Sequence, residues 1–263
     1  SFIITITAII AIVQRFISEI SRINTDNQEL LKTLEDNNEE LKSANQALER
    51  FAYVASHDLK TPLRTIIGFT ELLERDYNND KIERFPIYFS QVKQGARQMN
   101  ELIKSTLEYS RISHITEEKT WIDLNEIIAN IHMAYVTDKS IEINTSTLPK
   151  IFAEENQVLS LFQNLIENGI KYNDKPLKII EITHSETPYS MQIIVKDNGI
   201  GISEKFHNQI FTMFKRLHTN QKYEGTGLGL AICEKIVDRM NGQISLTSKE
   251  GKGTIFYIDL PKS

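Results

Sequence analysis

The stretch FAYVASHDLKTPL, Phe51 to Leu63, sets His57 beside Asp58 and places Pro62 five residues after the histidine. A neutral imidazole attacks phosphorus only through a free lone pair, so its other ring nitrogen must carry the proton and needs an acceptor to hold it there. Asp58 is the candidate acceptor, which makes the pair a candidate phosphate-accepting histidine; a solvated His-Asp pair on a helix is the alternative. Pro62 lacks an N–H and clashes with the Asp58 carbonyl four residues back, so the helix is expected to bend or loosen where the histidine must be reached.

Three further clusters follow. In LFQNLIENGIKYN, Asn164, Asn168 and Lys171 are spaced by four and three residues and share one helix face. Carboxamide oxygens are hard ligands suited to Mg²⁺, and lysine supplies a point charge for phosphate; each taken singly also fits a solvated polar face. In VKDNGIGI, Asp197 leaves an apolar run and is followed by Gly199 and Gly201, which allow close backbone approach to a ligand. In EGTGLGLAI, Gly225, Gly227 and Gly229 lead into a helix whose first N–H groups can receive phosphate. A tight turn would need no ligand, but four clusters in this order point together to phosphoryl chemistry on a nucleotide.

The elements that must position these residues are legible from periodicity. Val13, Phe16, Ile20, Ile23, Leu30, Leu34, Leu41, Ala44, Leu48, Phe51 and Ala55 recur at alternating intervals of three and four, the seam of a coiled coil, with Asn27 and Asn37 at polar seam positions that fix register. We expect a parallel dimer in which His57, two residues off the seam, flanks the interface. The helix is expected to run on through Ile66, Phe69, Leu72 and Leu73 to the polar run at Tyr77, and a second amphipathic helix from near Pro86 to about Ile112. Two antiparallel helices per chain, dimerised, make a four-helix bundle. Beyond a polar linker the pattern turns to alternating strands and helices: WIDL, a helix from Asn125, IEINT, LPKIF, a helix over Glu155 to Tyr172, KIIEIT, SMQIIVKD, a helix over Leu228 to Arg239, QISLTS and GTIFYIDL. That order predicts an α+β protein whose sandwich carries its helices on one face of the sheet. The expected domains are a signalling coiled coil over 14–50, the bundle over 51–113, a linker over 114–120 and the α/β sandwich over 121–263.

Composition excludes several classes. A net charge of −5 with no Lys/Arg cluster argues against nucleic acid as a partner. One cysteine, Cys233 in an apolar run, excludes an internal disulfide and a cysteine zinc site and reads as a buried thiol. Residues 1–13 are apolar but shorter than the roughly 20 residues needed to span a bilayer. Because the chain opens on Ser1, this segment is expected to be the cytoplasmic end of a membrane helix in a longer protein; a buried or dimer-packed helix start is the alternative.

From Leu41 to Pro261 the chain resembles the transmitter core of the sensor histidine kinases, with a dimerisation and phosphotransfer bundle joined to an ATP-binding domain similar to those of gyrase and the heat-shock chaperone ATPases. The resemblance implies autophosphorylation of His57 from ATP, with Asp58 as tautomer-fixing partner and general base, and Thr61 orienting water for dephosphorylation of the partner. It implies Asn168 as the Mg²⁺ ligand supported by Asn164, Lys171 and Tyr172 against phosphate and adenine, and Asp197 accepting from the adenine amino group. Phe211 and Phe214 match the aromatic box, with Lys215 and Arg216 in reach of the γ-phosphate. Gly199, Gly201, Gly225, Thr226, Gly227, Leu228 and Gly229 form the nucleotide loops. Gly169 departs from the family's usual Ala, at about 1 kcal/mol of helix propensity.

The implied partners are a second copy of the chain, the receiver domain of a separate response regulator and a membrane reached through the missing N-terminal region, with the catalytic core on its cytoplasmic side. The related ATPases carry Glu at the position of Asn164 to activate water, and an amide cannot take up that proton. Phosphoryl transfer is therefore expected over hydrolysis. A degenerate scaffold and a phosphatase-dominant protein are the competing readings.

Overall fold

The computed structural model describes residues 2–79, 81–114, 118–215, 217, 223 and 225–262, and side chains from residue 15 onward except at 26, 29, 40, 43, 44, 46–48, 50, 51, 113 and 114. The chain forms two compact units, Ser1–Val54 and Ala55–Ser263. In the first, helix α1 (Phe2–Tyr77) begins. Its described seam residues Phe16, Ile20, Ile23, Leu30, Leu34 and Leu41 are all exposed in the single chain. The side chains of Val13, Ala44, Leu48 and Phe51, and those of the apolar segment 1–13, lie outside the described residues. Among the described residues, no helix is long and apolar enough to cross a membrane.

In the second unit α1 continues through Pro62, which lies inside it, and a short 3₁₀ turn (Ile82–Arg84) leads into α2 (Phe85–His114). Gly95 of α2 sits against this point. A Cβ there would lie 2.9 Å from Ile66 Cγ1 and 3.1 Å from the Pro62 carbonyl, so the helices approach closely only because the residue is glycine. The hairpin end is fastened by Asp76, which is 2% exposed and accepts from the Tyr88 hydroxyl at 2.9 Å and from Arg75 Nε at 3.3 Å. These hydrogen bonds, Tyr88 first, hold the Asp76 carboxyl below the usual carboxylate range. Leu63, Ile67, Phe89, Ile103 and Leu107 remain exposed along the hairpin.

The remaining elements are β1 (Thr120–Asp123), α3 (Leu124–Met133), β2 (Ile141–Thr145), β3 (Lys150–Ala153), α4 (Glu155–Lys171), β4 (Lys178–Glu186), β5 (Ser190–Asp197), a 3₁₀ turn (Glu204–Phe206), α5 (Gly229–Arg239), β6 (Gln243–Lys249) and β7 (Gly253–Pro261). β1 and β3 pair antiparallel as a two-stranded sheet, and the others form a five-stranded sheet of order β2-β4-β5-β7-β6 in which only β2 and β4 run parallel. Alternation along each strand sends Ile180, Ile182, Ile193, Val195, Phe256 and Ile258 inward, where they meet Phe162, Leu165 and Ile166 of α4 and Ile232 and Ile236 of α5. Each such side chain contributes about 1.5–3 kcal/mol on leaving water. The outward partners are polar, as in Lys196 to Glu181 at 2.6 Å. Asp123 caps α3 by accepting from the Asn125 N–H at 2.9 Å, a use of Asp that satisfies an otherwise unpaired helix donor. Cys233 is buried, and burial pushes its thiol well above the usual range.

Candidate functional site

α4 presents Asn164, Asn168 and Lys171 along one face, toward the N-terminus of α5. Asn164 Nδ2 donates to the Ser160 carbonyl at 2.9 Å, and since a carbonyl can only accept, the Asn164 oxygen is turned the other way. That oxygen lies 2.6 Å from where a Cβ on Gly229 would stand, with Asn168 Nδ2 3.8 Å from the same point. Lys171 Nζ is likewise 2.3 Å from the Cβ position of Gly225. Side chains on these glycines would fill the space on which the two amides and the ammonium converge.

Asp197 closes the other end. Its Oδ1 accepts from the Gly199 N–H at 2.7 Å and the Thr254 N–H at 3.2 Å. Burial pushes the carboxyl up to about 6, against the pull of those two hydrogen bonds and of Lys175. The turn after it is anchored by Asn198, whose Oδ1 accepts from Asn173 Nδ2 at 2.6 Å and from the Ile179 N–H at 2.9 Å. Gly169 owes its identity to this corner: a Cβ there would lie 2.5 Å from Ile180 Cδ1 and 3.0 Å from Asp197 Cβ. The departure at Gly169 therefore lets α4 pack directly on the strand end that carries Asp197.

Between these ends lies a cavity of about 110 Å³, in which Asn168, Tyr172, Asp197, Gly201, Lys215 and Gly227 meet an apolar wall that includes Ile202, Leu230 and Phe256. A second space of about 190 Å³ adjoins it, lined among others by Asn164, Asn168, Lys171, Lys215, Gly225, Thr226, Gly227 and Gly229. The ring of Tyr172 stands 4.9 Å from Lys171 Nζ and 5.1 Å from the Tyr223 ring. Phe211 and Phe214 pack against the core. Phe214 holds a left-handed backbone, φ 60°, unusual for an aromatic residue, and its N–H donates to the Gly227 carbonyl at 2.9 Å, tying the aromatic box to the glycine loop. Leu228 is fully buried, so only its backbone faces the loop. Gly199 supports the site by its N–H bond to Asp197 and lines neither cavity. Arg216 lies outside the described residues. Thr254, Ser248 and Asn198 were not legible as site residues, because each acts through a bond to a distant loop.

His57 is far more exposed than these, 69% of its side chain, with Nδ1 2.9 Å from Asp58 Oδ1. Thr61, one turn on, is exposed as well. Among the described residues lining the two cavities, none comes from this motif; α2 contributes Glu101 and Ser105 instead. The structure thus assembles the three downstream clusters into one site and leaves the histidine motif apart on α1. Of the other histidines, His132, His184 and His207 are partly buried; the side chains of His114 and His218 lie outside the described residues.

Residues 47–115 match the family described as the His Kinase A (phospho-acceptor) domain, and residues 153–263 the family described as Histidine kinase-, DNA gyrase B-, and HSP90-like ATPase. The phytochrome-like protein Cph1 of Synechocystis is 36% identical over 84% of this chain, which spans 30% of that protein's length. The adaptive-response sensory kinase SasA of Crocosphaera subtropica is 32% identical over 92% of the chain and 66% of its own length. Among solved structures, histidine kinase ThkA in complex with the response regulator protein TrrA superposes with a TM-score of 0.65 at 20% identity, covering 84% of this chain and 64% of that one, a likeness of fold.

Proposed function

The chain belongs to the sensor histidine kinases, and on that premise we propose that it transfers the γ-phosphoryl group of ATP to His57 and from there to an aspartate of a separate response regulator. The observation that carries this reading is the joint presence of one cavity, bounded by Asp197 and the glycine loop, and an exposed imidazole already paired to a carboxylate. An ionised Asp58 can only accept, so Nδ1 holds the proton and Nε2 keeps its lone pair outward. Attack forms the Nε2–P bond, breaks the bond from the γ-phosphorus to the β,γ-bridging oxygen, and releases ADP; Asp58 takes up or stabilises the Nδ1 proton. A second displacement by the receiver's carboxylate returns the imidazole to its starting state. Thr61, one helical turn after His57 and on the same face, would orient water for hydrolysis of the receiver's phosphoaspartate, the phosphatase activity.

In the nucleotide cavity, Asp197 accepts from the adenine amino group, the apolar wall with Tyr172 covers the base, and the triphosphate extends toward Lys171, Lys215, Thr226 and the N-terminus of α5. Bound ATP supplies the phosphoryl group, and Mg²⁺ screens its charge. Among the described residues no group of three or more His, Cys, Asp or Glu is placed to hold a metal. Asn168, with Asn164 in support, would hold the ion through a carboxamide oxygen, a hard donor suited to Mg²⁺. Catalysis then rests on positioning and charge neutralisation.

The functional unit is a homodimer. In the first unit the exposed apolar seam over Phe16 to Leu41, and in the second the exposed hairpin residues Leu63, Ile67, Ile103 and Leu107, are surfaces that a second copy would cover. Residues 14–50 serve as the signalling coiled coil, 51–113 as the phosphotransfer bundle and 121–263 as the ATP-binding domain, anchored through the preceding region at the cytoplasmic side of a membrane. Incubation with γ-labelled ATP and Mg²⁺ tests the reaction: the label is expected to be lost in acid and retained in base, as for phosphohistidine. Acid-stable label, or none, refutes it.

A further inference from the structure

α2 reaches into the phosphate end of the site. Glu101 and Ser105 are one helical turn apart and share a face, and both line the 190 Å³ space with Lys171, Gly225 and Thr226. Glu101 also lines the adjoining opening of about 440 Å³ with Glu167 and Lys171. The Ser105 hydroxyl donates to the Glu101 carbonyl at 2.9 Å, which leaves its oxygen to accept from Thr226 Oγ1 at 3.3 Å. α5, whose N-terminus forms the phosphate loop, grips the same helix lower down. Lys235 Nζ donates to the Tyr109 carbonyl at 3.0 Å and lies 3.8 Å from its ring centroid, and Arg239 donates to the Ile112 carbonyl. Ile112 is among the last four residues of α2, whose carbonyls the helix itself leaves unpaired, so the Arg239 cation satisfies one of them.

We propose that α2, docked in this way, makes the site select nucleoside diphosphate over triphosphate. The proposal rests on the orientation given above, with adenine at Asp197 and phosphates toward Lys171. A diphosphate has no third phosphate to bring against the side of this space that α2 lines. A γ-phosphate enters it, meets the Glu101 carboxylate as a like charge, and must displace Ser105 from the Thr226 hydroxyl. Nucleotide and α2 are then linked reciprocally: docking retains ADP, and ATP loads as α2 leaves the phosphate loop.

The test is equilibrium binding of ATP and of ADP, each with Mg²⁺, to the full chain and its variants. Glu101→Gln is expected to raise the ratio of ATP to ADP affinity by about three- to tenfold, a range discounted for solvent screening of an exposed carboxylate. Glu101→Lys should raise it further, and ADP affinity should stay within twofold. Lys235→Met, which loosens α2 without lining either cavity, should move the ratio in the same direction. Raising the salt concentration should narrow the discrimination of the unmodified chain and leave that of Glu101→Gln nearly flat. Equal shifts for ATP and ADP, or an unmoved ratio in Glu101→Gln and Lys235→Met, overturn the role of α2 while leaving the nucleotide site intact. Failure of the unmodified chain to bind either nucleotide overturns the site reading and the selection with it.

Discussion

Replacing Asp197 with Asn is expected to move stability and nucleotide affinity in opposite directions. Burial lifts this carboxyl from its ordinary 3.8 to about 6. A group whose folded pKa lies above its unfolded value adds stability that is full below about pH 4 and is lost as pH rises through 6. Holding it ionised at pH 7 therefore costs about 3 kcal/mol. An amide carries no charge, and its oxygen can still accept from the Gly199 and Thr254 N–H groups that Asp197 Oδ1 now serves. Its NH₂ group, half-buried without a partner, returns about 1–2 kcal/mol of that gain. The net expectation is a stabilisation of about 1–2 kcal/mol, or about 2–8 °C in Tm.

Affinity should fall, because the atom proposed to accept from the adenine amino group becomes a donor facing a donor. Loss of a charge-assisted hydrogen bond costs about 1.5–3 kcal/mol, a Kd about 10- to 150-fold weaker for ATP, with the preference over GTP eroded. In the unmodified chain ATP affinity should also decline as pH falls through 6 and the carboxyl takes up its proton, whereas the variant should be flat there. Calorimetric melting without nucleotide and titration with ATP at pH 5.5 and 7.5 measure both effects. A lower Tm, an affinity change under twofold, or the same pH slope in both proteins would refute the assignment of Asp197.

Other substitutions separate the parts of the reaction. His57→Gln should abolish acid-labile phosphorylation while ATP affinity stays within twofold, since no residue of its motif lines the cavities; retained label would move the acceptor to another histidine. Asn168→Asp should shift the Mg²⁺ concentration for half-maximal activity, and an unaltered Mg²⁺ dependence removes Asn168 as a ligand. Arg239→Met strips its cation from Glu154, which is 3% exposed and bonded to Arg239 at 2.8 Å, so a loss of about 3 kcal/mol is expected, largely recovered in the double variant with Glu154→Gln. Four residues inserted after Leu34 break the heptad phase and seven restore it; equal activity and signal response in both, with dimerisation preserved, would make the seam a mere tether.

Periodicity gave the elements almost to the residue because it reports directly which face of each segment leaves water. SMQIIVKD is β5 as expected, and the helix expected from Asn125 begins one residue earlier behind its Asp123 cap. KIIEIT extends three residues further in β4, because His184, Ser185 and Glu186 find partners in Ile193, Gln192 and Met191 of β5. What a segment's own pattern cannot hold is the identity of whatever covers it. Gly169 reads as a helix defect until Ile180 and Asp197, from two different strands, are seen against it. Thr254 reads as the first residues of a strand until its N–H is found on the Asp197 carboxylate, and Ser105 as a polar bundle residue until Thr226, 121 positions away, meets it. The binding chemistry of a nucleotide site is local in sequence, because each loop carries its own donors. What surrounds that site comes through contacts between elements distant in the chain, and only folding sets Glu101 of α2 at the space that Lys171 and Thr226 also line.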